Sequence, residues 1–392
     1  MTQDEQSLPQ SSVFHLCSIS APSVANFSLD PMTTPTPSLI IDLPTVQRNI
    51  ARLAAYGREH GLGIRPHTKT HKSIRMAKLQ LDAGAVGLTV AKIGEAQTMA
   101  NVGSDLLIAY PALDPWRRER LVALAKTGTV RVGFDSVEAA DLIAEAARST
   151  EVTVGVLVDL DVGFHRTGIQ SPADALQLAR HVSRTPGLRL DGIMCYPGHL
   201  KQPPDEQKVL LTGIDTTLAE TIDLWRRDGL EAGIVSGGSS PSAYLSHHVP
   251  SLTEIRPGTY IYNDMNMVSC GFASLPDCAA RVTCTVVSTA VPGKFVIDAG
   301  SKSLTNDRRA QSGDTAGFGH VVEYPEATIV RLSEEHGEVQ LPAGAPPPKI
   351  GHRVHVIPNH ICPCVNLQTI AWLRDAAGAL SPLPIDARGL TW

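Results

Sequence analysis

No run of apolar residues in this sequence approaches the ~20 needed to cross a bilayer as a helix, so no membrane association is expected. Aromatic residues make up only 5%, which argues against stacking platforms for single-stranded nucleic acid. Neither sign of charge dominates: 34 basic and 39 acidic residues give a formal net charge of −5. Bulk charge thus excludes a general polyanion binder, and no nucleic-acid partner is expected. The stretch before Pro31 lacks a basic opening and a continuous apolar core, so it does not read as a secretory signal. The seven cysteines, Cys17, Cys195, Cys270, Cys278, Cys284, Cys362 and Cys364, are odd in number and irregularly spaced. That speaks against a disulfide framework and for a reducing, cytoplasmic setting.

What is present is the composition of an ordinary globular protein, with 43% hydrophobic and 19% charged residues. A length of 392 residues suits two domains, or one large α/β barrel with an appendage. Residues 1–36, rich in Ser, Gln, Thr and Pro, read as a disordered leader. A start at Met32 would remove nothing patterned.

Beyond the leader a unit recurs. A short β-branched run ends in a polar or Gly-containing turn, and a helical pattern follows. Such runs fall at 63–66, 86–90, 106–109, 130–133, 154–160, 192–196, 233–236 and 254–256. Eight strands alternating with helices predict a (β/α)8 TIM-like barrel over residues 37–265, with an open doubly wound sheet as the rival. Over 266–392 the period changes to that of strands, turns carry Gly, Pro and Asp, and long helices are absent. This predicts a C-terminal antiparallel β domain, with 37–43 as a candidate extra strand.

In a barrel, chemistry sits at the C-terminal ends of the strands. After the first strand comes Arg65-Pro66-His67-Thr68-Lys69-Thr70-His71-Lys72. A lysine flanked by cations suits a Schiff-base nucleophile, because like charge favours the free amine. From composition alone, a solvated basic loop is the simpler reading. After the seventh strand, Ser236-Gly237-Gly238-Ser239-Ser240 offers backbone N–H groups and hydroxyls to a phosphate, or is a plain turn. Arg256-Pro257-Gly258-Thr259-Tyr260, after the eighth, could complete that pocket. Arg166 and Tyr196 follow the fifth and sixth strands, where Arg166 could offer a fixed cation to a cofactor or substrate anion. In the β domain, His360 and Cys362 would face the same way along an extended segment, and imidazole with thiolate suits Zn²⁺. Cys364 is a candidate third ligand, and a satisfied His beside a buried Cys is the bland alternative.

Arg-Pro-His-x-Lys-Thr-His-Lys at 65–72, Ser-Gly-Gly-Ser at 236–239, Arg-Pro-Gly-x-Tyr at 256–260 and Asn-His-x-Cys-Pro at 359–363, in this order, resemble the D-threonine aldolase and D-serine dehydratase group, fold-type III pyridoxal 5′-phosphate (PLP) enzymes with an alanine-racemase-like barrel. The resemblance covers about residues 35–392. It implies that Lys69 holds PLP as a Schiff base. Gly237, Gly238, Ser239, Gly258 and Tyr260 would surround the phosphate, and Arg166 and Tyr196 would contact the ring. His360 and Cys362 would bind a divalent metal, Zn²⁺ or Mn²⁺, near the substrate hydroxyl. It also implies a small D-amino acid substrate and a homodimer.

Two reactions of a 3-hydroxy D-amino acid are open to such a site. Dehydration gives a 2-oxo acid and ammonia; Cα–Cβ cleavage gives glycine and an aldehyde. Aldolases of the group resemble a His-x-Asp pattern at the metal pair and carry a His six residues after the sixth-strand Tyr. Here the pair is His360 and Cys362, and the later position is Gln202, with His199 as a nearby substitute base. The expectation is therefore a dehydratase acting on D-serine, D-threonine or 3-hydroxy-D-aspartate, with D-threonine aldolase as the alternative. An amino-acid racemase and a non-catalytic PLP-binding protein are further alternatives.

Overall fold

The computed structural model describes residues 34–309 and 317–392, so all but the end of the expected leader, and Cys17, lie outside it. Strand β1 (Ser38–Asp42) runs into helix α1 (Leu43–Glu59). Asp42 starts that helix, its carboxylate accepting the Thr45 N–H at 3.1 Å.

Eight parallel strands follow: β2 (Gly63–Ile64), β3 (Leu88–Val90), β4 (Asp105–Ile108), β5 (Thr129–Phe134), β6 (Val154–Asp159), β7 (Leu188–Met194), β8 (Ile234–Gly237) and β9 (Glu254–Ile255). Their order is β2-β9-β8-β7-β6-β5-β4-β3. A parallel bridge between His67 and Thr89 joins the two edges, backed by Thr89 N–H donating to the Pro66 carbonyl at 2.9 Å. The sheet therefore curls into a barrel whose strands are the eight runs expected from sequence. Helices α2 (Ile74–Asp82), α3 (Ile93–Met99), α4 (Pro115–Ala125), α5 (Val137–Ser149), α6 (Pro172–Arg184) and α7 (Pro204–Arg227) fill the connections. Asp114, Ser136 and Ser171 cap α4, α5 and α6, and Pro115 and Pro172 take the first helical positions, where a missing N–H costs nothing.

Strand β7 begins earlier than its sequence suggests. Gly192 looks like a strand start, yet it follows a bulge: Val156 pairs with Leu190 and Leu157 with Gly192, skipping Asp191. A Cβ at Gly192 would collide with the Ile234 carbonyl. The bulge aims Asp191 at Arg131, 2.6 Å away. Arg131 also meets Asp105 at 2.7 Å, and Arg65 meets Glu254 at 2.8 Å, so charged side chains plug the end of the barrel where β4 and β9 begin.

After α8 (Met265–Ser269) comes a second sheet of β10 (Ala280–Ser288), β11 (Lys294–Ile297), β12 (His320–Val321), β13 (Thr328–Leu332), β14 (Gly337–Gln340), β15 (Arg353–Ile357), β16 (Ile370–Arg374) and β17 (Leu380–Pro384). Its order is β13-β14-β11-β10-β1-β16-β17, with β15 on β10 and β12. Every pairing is antiparallel except that of β1 with β16. Two short helices, α9 (Ser301–Leu304) and α10 (Ile361–Leu367), interrupt it. One continuous apolar cluster runs through both sheets. The C-terminal tail binds the barrel directly, with Ala387 N–H donating to the Lys72 carbonyl at 2.9 Å and Asp386 accepting the Ile74 N–H at 2.7 Å. Among the described residues no helix is long and apolar enough to cross a membrane.

Candidate active site

Every residue from Ile64 to Ser73 is buried except Lys69, which is exposed. The chain makes a 3₁₀ turn at Thr68–Thr70, where His67 Nδ1 accepts the Lys69 N–H at 3.4 Å. The surrounding charges are not bare, as the sequence suggests. Lys72 pairs with buried Glu95 at 3.0 Å, and Arg65 is held by Glu254 and Asp105. His71 belongs to a chain of neutral hydrogen bonds. Its Nδ1 accepts from the Ser73 N–H at 3.1 Å, its Nε2 faces Gln80 Oε1 at 3.1 Å, and Gln80 Nε2 donates to the Tyr260 hydroxyl at 3.0 Å. Burial outweighs these bonds and pulls His71 down to about 4. Burial, with the charges of Lys69 and Arg256, holds His67 well below its usual value. What reads as a basic loop is a packed, largely neutralised support for one projecting amine.

That amine enters a cavity of about 820 Å³ lined at the barrel's C-terminal end by Lys69, Arg166, Tyr196, Gly238, Ser239, Gly258, His360 and Cys362. Gly237 and Tyr260 are not on this wall. A Cβ on Gly237 would meet Leu252 and Cys195, behind the strand, and the Tyr260 hydroxyl is buried against Gln80. The Gly258 and Thr259 N–H groups donate to Ser240 Oγ at 3.2 and 3.0 Å, which ties the two glycine motifs together. Gly238, at φ +75°, takes a left-handed turn that brings backbone to the wall.

Arg256 also lines the cavity, and the sequence does not mark it out for a role of its own. It is buried; Nη2 donates to the Cys195 carbonyl at 2.8 Å, and Nη1 is buried with no partner among the described residues. An orphaned guanidinium nitrogen beside serines and an exposed lysine fits an anionic ligand such as a phosphorylated cofactor. The Arg166 guanidinium carbon lies 4.9 Å from the Tyr196 ring centre, and Phe164 meets Tyr196 edge-on at 5.3 Å. Lys69 Nζ is 6.0 Å from the same ring centre. The loop holding Arg166 is organised by Asp161, whose Oδ1 accepts the N–H groups of Gly163, Phe164 and His165 at 3.1, 3.0 and 3.0 Å.

The second sheet supplies the far wall. Cys362 does not lie in an extended segment, as the sequence pattern predicts: α10 begins at Ile361, and only His360, at φ −135° and ψ 108°, is extended. The pair nonetheless shares the cavity with Lys69 of the same chain. Asp264 sets the entry, its two oxygens accepting the Met267 N–H at 3.0 Å and the Ile361 N–H at 2.9 Å. Cys362 Sγ is 3.2 Å from Thr70 Oγ1 and 3.7 Å from Thr259 Oγ1. Burial pushes the Cys362 thiol up, but His360, Thr70 and Lys69 bring it net below the usual thiol value. Burial opposes charge on His360, yet Cys362, Asp264 and Asp307 raise it to about 9. Thiolate and imidazole, the metal-binding forms of these two side chains, make a soft donor pair that fits Zn²⁺. Among the described residues no group of three or more His, Cys, Asp or Glu could hold a metal. Cys364 is turned away, its thiol donating to the Ser303 carbonyl at 3.0 Å and raised by burial to about 12. Neither His199 nor Gln202 lines the cavity.

Residues 41–266 match the alanine racemase N-terminal domain, and residues 279–372 match a serine dehydratase domain. The chain is 30% identical over 350 residues to D-threo-3-hydroxyaspartate dehydratase of Delftia sp. (strain HT23), covering 84% of this chain and 92% of that one. It superposes on the crystal structure of D-threonine aldolase from Filomicrobium marinum with a TM-score of 0.87 at 28% identity, covering 94% of this chain and 100% of that one. A D-threo-3-hydroxyaspartate dehydratase mutant with cysteine replaced by alanine, solved in the metal-free form, gives 0.83 at 29% identity over 90% and 98%. A mutant of the same enzyme with a histidine replaced, two positions earlier in that chain, is also similar. Matched by both domain models, the chain belongs to the D-threonine aldolase and D-serine dehydratase family with an alanine-racemase-like barrel.

Proposed function

We propose that this protein is a PLP-dependent, divalent-metal-assisted lyase that dehydrates 3-hydroxy D-amino acids to 2-oxo acids and ammonia. One observation carries the reading: the exposed Lys69 amine and the His360–Cys362 pair open onto one cavity within one chain. The favoured outcome is dehydration because His360 and Cys362 have the spacing of the histidine and cysteine replaced in the D-threo-3-hydroxyaspartate dehydratase mutants, the cysteine variant of which is metal-free. The two candidate bases of the aldolase reading, His199 and Gln202, do not line the cavity.

Each residue then has a task. Lys69 would hold the cofactor and, once released by the substrate amine, is the amine placed to take the Cα proton. Ser239, the backbone at Gly238 and the free Nη1 of Arg256 would receive anionic oxygens. Tyr196, with the Arg166 guanidinium 4.9 Å from its ring centre, would contact the cofactor ring. His360 and Cys362 would hold the metal where the β-hydroxyl lies. The bound groups supply an electron sink at Cα and Lewis acidity at the β-oxygen. The balance is loss of the Cα proton and of hydroxide from Cβ, then addition of water and release of ammonium.

The test is a panel of D-serine, D-threonine and 3-hydroxy-D-aspartate with PLP and either Zn²⁺ or Mn²⁺. Ammonia with the matching 2-oxo acid from at least one of them is the expected result. Glycine with an aldehyde would replace dehydration by aldol cleavage. Inactivity on all three, with the cofactor bound, would support the non-catalytic alternative.

A further inference from the structure

His360 does not stand alone at the cavity mouth. Its Nδ1 lies 2.7 Å from Asp307 Oδ2, and Cys362 lines the same cavity. Asp307 is itself fixed. Its N–H donates to Thr305 Oγ1 at 3.2 Å, and its carbonyl accepts from Asn359 Nδ2 at 3.0 Å. The buried Asn359 amide donates as well to the Gly317 carbonyl at 2.9 Å. The residue before His360 thus clamps the segment that carries Asp307. The His360 and Asp307 side chains are 42% and 45% exposed. A pair that open adds only about 0–1 kcal/mol to stability, so fold maintenance is a weak reason for so much scaffolding.

Ligand chemistry gives a stronger one. An imidazole that binds a cation through one nitrogen carries a proton on the other. A carboxylate at that proton fixes the tautomer and the ring plane and makes the free nitrogen more basic. With Nδ1 committed to Asp307, Nε2 is the nitrogen left to share a cation with Cys362 Sγ.

We propose that Asp307 is the positioning residue of the metal-binding histidine, its carboxylate accepting the Nδ1–H of His360 and reserving Nε2 for a divalent cation. The proposal rests on the reading of His360 and Cys362 as the metal pair.

The test measures Zn²⁺ affinity of metal-free, PLP-loaded protein by competition with a chromophoric chelator, for wild type, Asp307→Ala, Asp307→Asn and His360→Ala. Asp307→Ala is expected to bind Zn²⁺ about 10- to 100-fold more weakly, the range for loss of such a partner. Asp307→Asn should lose less, because its amide oxygen can still accept the Nδ1–H. In both variants the absorbance of the lysine-bound cofactor and the unfolding midpoint of the metal-free protein should match wild type. Unchanged affinity in Asp307→Ala, with wild type binding and His360→Ala not, overturns the proposal alone. Weakened affinity accompanied by an equally weakened metal-free fold assigns Asp307 a structural role and also overturns it. Wild type binding no more Zn²⁺ than His360→Ala overturns the metal reading, and the proposal with it.

Discussion

Acidification should loosen the support of Lys69 through His71. The residue is fully buried and neutral in the folded chain, with both ring nitrogens engaged. Its value falls from 6.5 to about 4 on folding. As pH drops, the unfolded chain takes up the proton first, so stability is lost from pH 6.5 downward and the loss is complete near pH 4. A shift of this size corresponds to about 3 kcal/mol in full, and about 2 kcal/mol of it falls between pH 7 and pH 5. Buried His67 moves the same way, so a comparison is needed to isolate His71. Urea unfolding of wild type and His71→Asn at both pH values provides it. Whatever stability the variant starts from, its loss between pH 7 and pH 5 should be smaller by about 2 kcal/mol. Parallel losses in the two proteins would show that His71 does not carry the effect.

Lys69→Ala should abolish the absorbance of the lysine-bound cofactor and all turnover. Because Lys69 is exposed, the unfolding free energy of the cofactor-free variant should stay within about 0.5 kcal/mol of cofactor-free wild type, read by urea titration. Exhaustive chelation should remove turnover while leaving that absorbance in place, since Lys69, and neither His360 nor Cys362, is the residue that would hold the cofactor; full activity without metal would contradict the metal role. Glu254→Ala should cost about 3–5 kcal/mol, because it strips a buried partner from Arg65 and an acceptor from Ser236 Oγ; a change under 1 kcal/mol would show the plug to be dispensable.

The barrel was legible because each parallel strand is a short β-branched run closed by a turn and followed by a helix. The start of β7 was not, since Gly192 serves a bulge rather than a turn. The ion pairs of the plug join residues far apart in sequence, such as Arg65 with Glu254, and no local pattern reveals them. For the same reason Arg65 and Lys72 read as bare charge beside Lys69. Motif membership placed Gly238, Ser239 and Gly258 on the wall but carried Gly237 and Tyr260 along with them. A motif gives position along the chain, whereas the 3₁₀ turn at Thr259–Ile261 decides which way Tyr260 points. Arg256 lies inside a recognisable motif and Asp307 in none, and an orphaned nitrogen and a 2.7 Å contact exist only in three dimensions.

In dehydration Cα–H, not Cα–Cβ, is the bond broken. Cα-deuterated D-threonine, turned over by PLP- and metal-loaded protein and followed by mass spectrometry, distinguishes the two. 2-Oxobutanoate and ammonia are expected, with the Cα deuterium lost from that carbon and a slower rate than with unlabelled substrate. Acetaldehyde with glycine that still carries the deuterium would contradict dehydration.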